Sequence, residues 1–420
     1  MNYLRVSRTS TSRRTPYILL AAFGFLFLLT PLRAKEFWSD AGFFIDLPEG
    51  FSLAEGDGKT RFSFLDPTEG MEFDILSYDA SRFQGAKALA DESLKRLGSS
   101  GESENFAYEG REAVFAELSF KLGGAQKKGY AIFIAGRKTP EKGGAGADAK
   151  EANRPGEKSG ATSPGSPPER HTALLAWTDE TRLENYADFI LSCLDCVSLD
   201  GAGLRSPGPL SQYILPWPAA RNETRKVEFG GESFELPFSS DESEHVAGTA
   251  GREFRVLEAY GETEDLWKAA WARCYRMIFR ESARRLDRLT LEIARLLPDD
   301  PTEAARRMLA WVQGFTYVRD TEGIDFVEPL VAAYEARGDC DSRAVVMAAV
   351  LERLGVDSIL MLSRDYSHAM AAFDVPGGGQ RFPFGGKEWL VAETTAKVGI
   401  GLVAAKQSDW KKWLGVDLGK

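Results

Sequence analysis

A chain of 420 residues, 43% hydrophobic and 27% charged, is long enough to bury two or three cores and has the balance of a globular protein. The net charge is −10, and because the first 34 residues hold five arginines and no acid, 47 cations face 62 acids in the remainder. That excess argues against nucleic acid as a partner, since phosphate binding needs a basic surface.

Taken in order, the chain opens with Arg5, Arg8, Arg13 and Arg14 ahead of an apolar run from Tyr17 to Leu29, too short for an ideal spanning helix. Residues 1–34 therefore read as an export signal cleaved after Ala34, or as an uncleaved membrane anchor, because Leu32 is large for a cleavage signal. Either way the protein is expected in the periplasm or cell envelope, with any membrane association carried by this segment. No later stretch is apolar enough to span a bilayer.

From residue 35 to 200 the pattern is strand-rich. Phe43–Pro48, Arg61–Leu65, Met71–Leu76, Ala113–Leu122, Tyr130–Ala135 and Thr172–Trp177 read as strands, and Ala86–Leu97 and Arg182–Cys196 as helices. This predicts an α+β domain with an antiparallel sheet. Residues 138–170 contain no Val, Ile, Leu, Met or aromatic residue, which predicts a disordered insertion within a hairpin. The opening and the order of elements resemble the PsbP-like fold of photosystem extrinsic proteins and bacterial envelope relatives, a likeness that implies a fold and no function.

The Pro- and Gly-rich stretch 201–218 reads as an interdomain linker, and 219–420 as a second domain. A hairpin is expected over Lys226–Phe229 and Ser233–Pro237, a strand over Arg252–Tyr260, and one long helix from Glu264 to about Leu297, capped by Thr263. Seven arginines between Arg273 and Arg295 are expected on its solvated face. A helix over Pro301–Gln313 leads into the extended Phe315–Asp320.

The stretch Gly338-Asp339-Cys340-Asp341-Ser342-Arg343-Ala344 precedes apolar residues at helical spacing that stop before Gly355. Asp339 is then an N-cap and Cys340 a first-turn residue, where unpaired N–H groups and the helix dipole would lower a thiol pKa. Strands follow at Ser358–Leu362, His368–Val375 and Glu388–Thr394. A cysteine on a helix start, a histidine opening one strand and a carboxylate ending the next give the order nucleophile, base and orienting group.

These residues, with Ser367-His368-Ala369 and Trp389 to Thr395, resemble the transglutaminase-like superfamily of papain-type thiol enzymes over roughly Asp265 to Gly401. The resemblance implies a C-terminal α+β domain with Cys340 as nucleophile, His368 as base and acid, and Glu393 as orienting group on an adjacent antiparallel strand. The family usually has aspartate where Glu393 stands. Gln313 or Tyr317 would join the Cys340 N–H in an oxyanion site. The expected activity is acyl transfer on a peptide or amide bond of a protein or peptide substrate, with water (a cysteine protease or amidase) or an amine (a transglutaminase) as acceptor. The alternative is a non-catalytic envelope binding or scaffolding protein that keeps the fold.

The other cysteines suit other roles. Cys193 and Cys196 form a lone CxxC that is redox-active, metal-binding, disulfide-bonded or simply packed, and Cys274 falls on an apolar helix face. With three histidines and no second CxxC, no metal or other cofactor is expected. Neither His171 nor His245, the latter in an acidic, irregular neighbourhood, has a partner motif.

Overall fold

A computed structural model describes residues 37–38, 42–137, 170–199, 205–261, 264–319 and 325–418. The export or anchor segment, nearly all of the expected insertion and the Thr263 cap lie outside the described residues; Arg170 opens a strand.

A seven-stranded antiparallel sheet dominates the N-terminal half. Its order is Ser52–Gly56, Arg61–Leu65, Met71–Asp79, Arg170–Asp179, Ala125–Ile134, Arg111–Leu122 and Ser103–Tyr108. Alternation along these strands makes two apolar faces, and each takes a helix. Leu89 and Ala90 of Ala86–Leu97 pack with Val114, Ala116, Phe133 and Trp177 on one face. Ile190, Cys193 and Leu194 of Leu183–Asp195 pack with Phe62, Phe73, Ile132 and Leu174 on the other.

In the C-terminal half a five-stranded antiparallel sheet runs Arg381–Phe384, Lys387–Ala392, His368–Phe373, Ser358–Ser363 and Leu414–Asp417. The helix Cys340–Arg353 lies against it, ten of its residues buried. A hairpin pairs Glu223–Phe229 with Glu232–Phe238, as expected. Among the described residues no helix is long and apolar enough to cross a membrane.

Several expectations fail between the halves. Residues 252–260 are not a strand: Ser240–Glu258 is one helix, and the Ser239 hydroxyl caps it by accepting the Glu242 N–H. His245 therefore sits in a helix, not in irregular chain. Its polar, glycine-containing sequence has a weak stripe, but Val246, Ala250 and Leu257 still reach the core. The long helix is two, Glu264–Ala283 and Asp287–Ala294, and the Ser282 hydroxyl bonds back to the Ile278 carbonyl at the break.

The arginines of Glu264–Ala283, hereafter the arginine helix, are not a solvated face. Arg273 and Arg280 are 1% exposed. Arg273 donates to Glu253 (2.7 Å) and the Asp46 carbonyl (2.6 Å), while Arg276 holds both Asp46 carboxylate oxygens at 2.8 Å. Arg280 donates to the carbonyls of Ser206, Asp195 and Val197 at 2.6–2.7 Å. Burial alone would raise the Asp46 carboxyl; Arg276 overrides it and holds the group below its ordinary value. The described part of 201–218 is likewise packed. It contains the helix Pro209–Ile214, whose Ser211 N–H and hydroxyl both donate to Asp195. Residues 33–420 consequently form one compact unit.

Candidate functional site

The site is assembled around the start of the helix Cys340–Arg353. Asp339 is its N-cap, accepting the Ser342 N–H at 2.9 Å and also the Ser342 hydroxyl. Gly338 fits because a Cβ there would stand 3.0 Å from Ser342 Cβ and 3.4 Å from Ala332 Cβ. Two non-glycine residues adopt left-handed backbone just before the key segments, Ala336 (φ 49°) and Ser367 (φ 44°). Such conformations cost on the order of 1–3 kcal/mol each and persist where surrounding structure imposes them.

The sheet brings histidine and carboxylate to this helix start. His368 opens its strand, and the backbone of the next residue, Ala369, favours the charged form of the Cys340 thiol, which places the start of this strand beside the start of the helix. His368 Nε2 lies 2.8 Å from Glu393 Oε2. Glu393 follows the strand Lys387–Ala392, and its other oxygen accepts the Thr395 N–H (2.8 Å), the Thr395 hydroxyl (2.6 Å) and the Ala396 N–H (3.3 Å). The longer side chain thus spans the distance to the imidazole. Burial opposes the charged carboxylate, but the His368 and Thr395 bonds outweigh it and bring Glu393 down to about 2. Trp413 meets the His368 ring edge-on at 6.1 Å.

The thiol itself behaves differently from the expectation. Burial first, and then the neighbouring Asp341 carboxylate, push Cys340 well above its ordinary value. Sγ donates to Asp341 Oδ1 at 2.8 Å, and the buried Tyr275 hydroxyl donates to Asp341 Oδ2. Asp339, buried and next to Asp341, is itself raised to about 6. Helix-end donors are present, but desolvation and a nearby negative charge exceed the roughly half-charge of a helix dipole, so the resting group is a thiol.

Of the two oxyanion candidates, only Tyr317 is near. It pairs in register with Gly338, two residues before Cys340, and the Arg343 guanidinium lies over its ring at 5.4 Å. Gln313 does not face Cys340 as a donor: its amide nitrogen gives its hydrogens to the Glu393 carbonyl (2.8 Å) and the Val398 carbonyl (2.9 Å), supporting the Glu393 loop instead. Arg343 was not singled out from the sequence as a site residue. At 2% exposure it donates to the carbonyls of Gly338, Phe315 and Thr394, tying together the segments that carry Cys340, Tyr317 and Glu393. An arginine one turn into the cysteine helix, directly ahead of the apolar run Ala344-Val345-Val346, was the available signal.

The other candidates are structural. Cys193 and Cys196 are free and fully buried, and burial raises both thiols. Cys274 is buried too. His171 accepts the Gly136 N–H at 2.9 Å and faces the Ala80 and Phe83 carbonyls at 3.1 Å. Among the described residues no group of three or more His, Cys, Asp or Glu could hold a metal ion.

No family model and no curated protein matches this chain. Among solved structures it is similar to cyanobacterial PsbP (CyanoP) from Synechocystis sp. PCC 6803, at 12% identity and a TM-score of 0.28, over 42% of this chain and 98% of that one. A crystal structure from Bacteroides thetaiotaomicron VPI-5482 aligns at 12% identity and a TM-score of 0.24, over 59% of this chain and 78% of that one. Scores of this size leave the description of the fold to the topology itself, which is mixed α/β built on antiparallel sheets.

Proposed function

We propose that the protein is a thiol enzyme performing acyl transfer on peptide or amide bonds through Cys340, His368 and Glu393, on a transglutaminase-like C-terminal domain. The observation that carries this reading is the 2.8 Å His368–Glu393 contact on the sheet that packs against the helix opening at Cys340. With Nε2 turned to Glu393, the other ring nitrogen is left to take the thiol proton as sulfur attacks a carbonyl carbon. His368 then returns that proton to the leaving amine, and water or a second amine resolves the thioester. Because the resting sulfur is protonated, proton removal accompanies attack instead of preceding it. The Cys340 N–H and Tyr317 are the donors for the developing oxyanion.

A second reading is favoured by one observation, the 2.8 Å hydrogen bond by which Cys340 Sγ donates to Asp341: a binding protein that keeps the fold without the chemistry. The two separate in a burst experiment with p-nitrophenyl acetate. The enzyme reading expects an acetyl group on Cys340, absent in Cys340→Ala and formed about 10²–10⁴-fold more slowly in His368→Ala. Acetylation that ignores His368, or none on Cys340, would leave the binding reading.

A further inference from the structure

The thiol has a second partner that the triad does not use. Asp341 accepts from Cys340 Sγ through Oδ1, and its Oδ2 accepts from Tyr275, a 1%-exposed residue of the arginine helix. A carboxylate on the residue after a nucleophile could turn to water; here a buried hydroxyl from another element fixes it. Tyr275 is fixed in turn, because Arg273 and Arg276 on the same helix are clamped to Asp46 and Glu253.

We propose that Asp341 and Tyr275 are a positioning pair for Cys340: the carboxylate holds Sγ in its protonated resting form, and Tyr275 aims the carboxylate. This inference rests on Cys340 being the nucleophile proposed above. Among the described residues, the other titratable and charged groups facing the pair or Cys340 include Asp339 and Arg343 from the cysteine helix, Cys274 from the arginine helix, Tyr317 and Arg319 from the segment paired with Gly338, and His368 and Glu393 from the sheet. Asp341 is the one whose carboxylate touches the sulfur. A negative charge at hydrogen-bond distance opposes a second one on sulfur, so the pair keeps the thiol quiet until His368 and a bound acyl group compete for it.

The test is the pH profile of Cys340 alkylation by iodoacetamide in the full chain, followed by peptide mass spectrometry. Asp341→Asn, close in shape and uncharged, should move the midpoint down by about one pH unit and raise the rate at pH 7 about tenfold. Tyr275→Phe, which keeps the buried ring, should move it the same way by less, and it carries the test if Asp341→Asn does not fold. Profiles identical to wild type in both folded variants overturn the pair. His368→Ala in parallel separates the two ideas. If it alters the profile while Asp341→Asn does not, the thiol-enzyme reading stands and the pair fails. If Asp341→Asn shifts the profile and His368→Ala does not, the pair is upheld and the triad is lost.

Discussion

At Glu393 one methylene decides the geometry of the site. The carboxylate reaches His368 from just beyond the end of its strand and is braced on its other oxygen by three donors. Glu393→Asp should pull the carboxylate back by about 1 Å or more and lower turnover on the order of 10²-fold, with the fold intact by circular dichroism. The same residue gives a pH signature. Its folded value near 2 lies below the ordinary 4.5, so its stabilisation is present above about pH 4.5 and is lost as pH falls toward 2. Urea midpoints of wild type and Glu393→Gln should therefore differ at pH 6 and converge toward pH 2. Arg343 works through backbone. Arg343→Ala would leave the Phe315, Gly338 and Thr394 carbonyls without this donor in a buried setting, destabilising by about 3 kcal/mol or more, measured by denaturant unfolding.

At the scale of elements, the start of the cysteine helix is the sensitive point. Asp339→Ala removes the cap on the Ser342 N–H and should cost about 1 kcal/mol by the same unfolding measurement. The segments feeding this point are forced by their surroundings: Ala336 and Ser367 hold left-handed backbone, and Gly338 passes too close to Ser342 and Ala332 for an easy side chain. The helix Ser240–Glu258 shows the opposite balance. Its propensity is poor, yet Arg252 and Glu253 form buried ion pairs with Asp195 and Arg273 that only the helical form aligns.

Across the whole molecule the arginine helix joins the two halves. Arg273, Arg276 and Arg280 reach into the N-terminal half, Met277 packs in its core, and Tyr275 bonds to Asp341 beside Cys340. Breaking such a buried pair leaves an uncompensated charge. Arg273→Ala should destabilise by roughly 3–5 kcal/mol, and a single cooperative transition, not two, should be seen in thermal unfolding of the wild type. Either half expressed alone would expose these charges.

Local chemistry was enough to read much of this from the chain. Asp339 as cap, Cys340 as first helical residue, the strands beginning at Ser358 and His368, and most N-terminal strands follow from period and capping, which depend on neighbours within a few residues. The contact between His368 and Glu393 was foreshadowed by their order along the chain, but its reach was fixed by strand register. What the sequence could not reveal depends on partners remote along the chain. Seven arginines look alike until Asp46, Asp195 and Glu253 arrive from other elements to bury some of them. The Cys340 thiol is set by the helix end when read locally, and by partial burial and Asp341 once it packs against the core. Charge on a side chain is a local property, but its cost depends on what surrounds it, and only the tertiary structure supplies those surroundings.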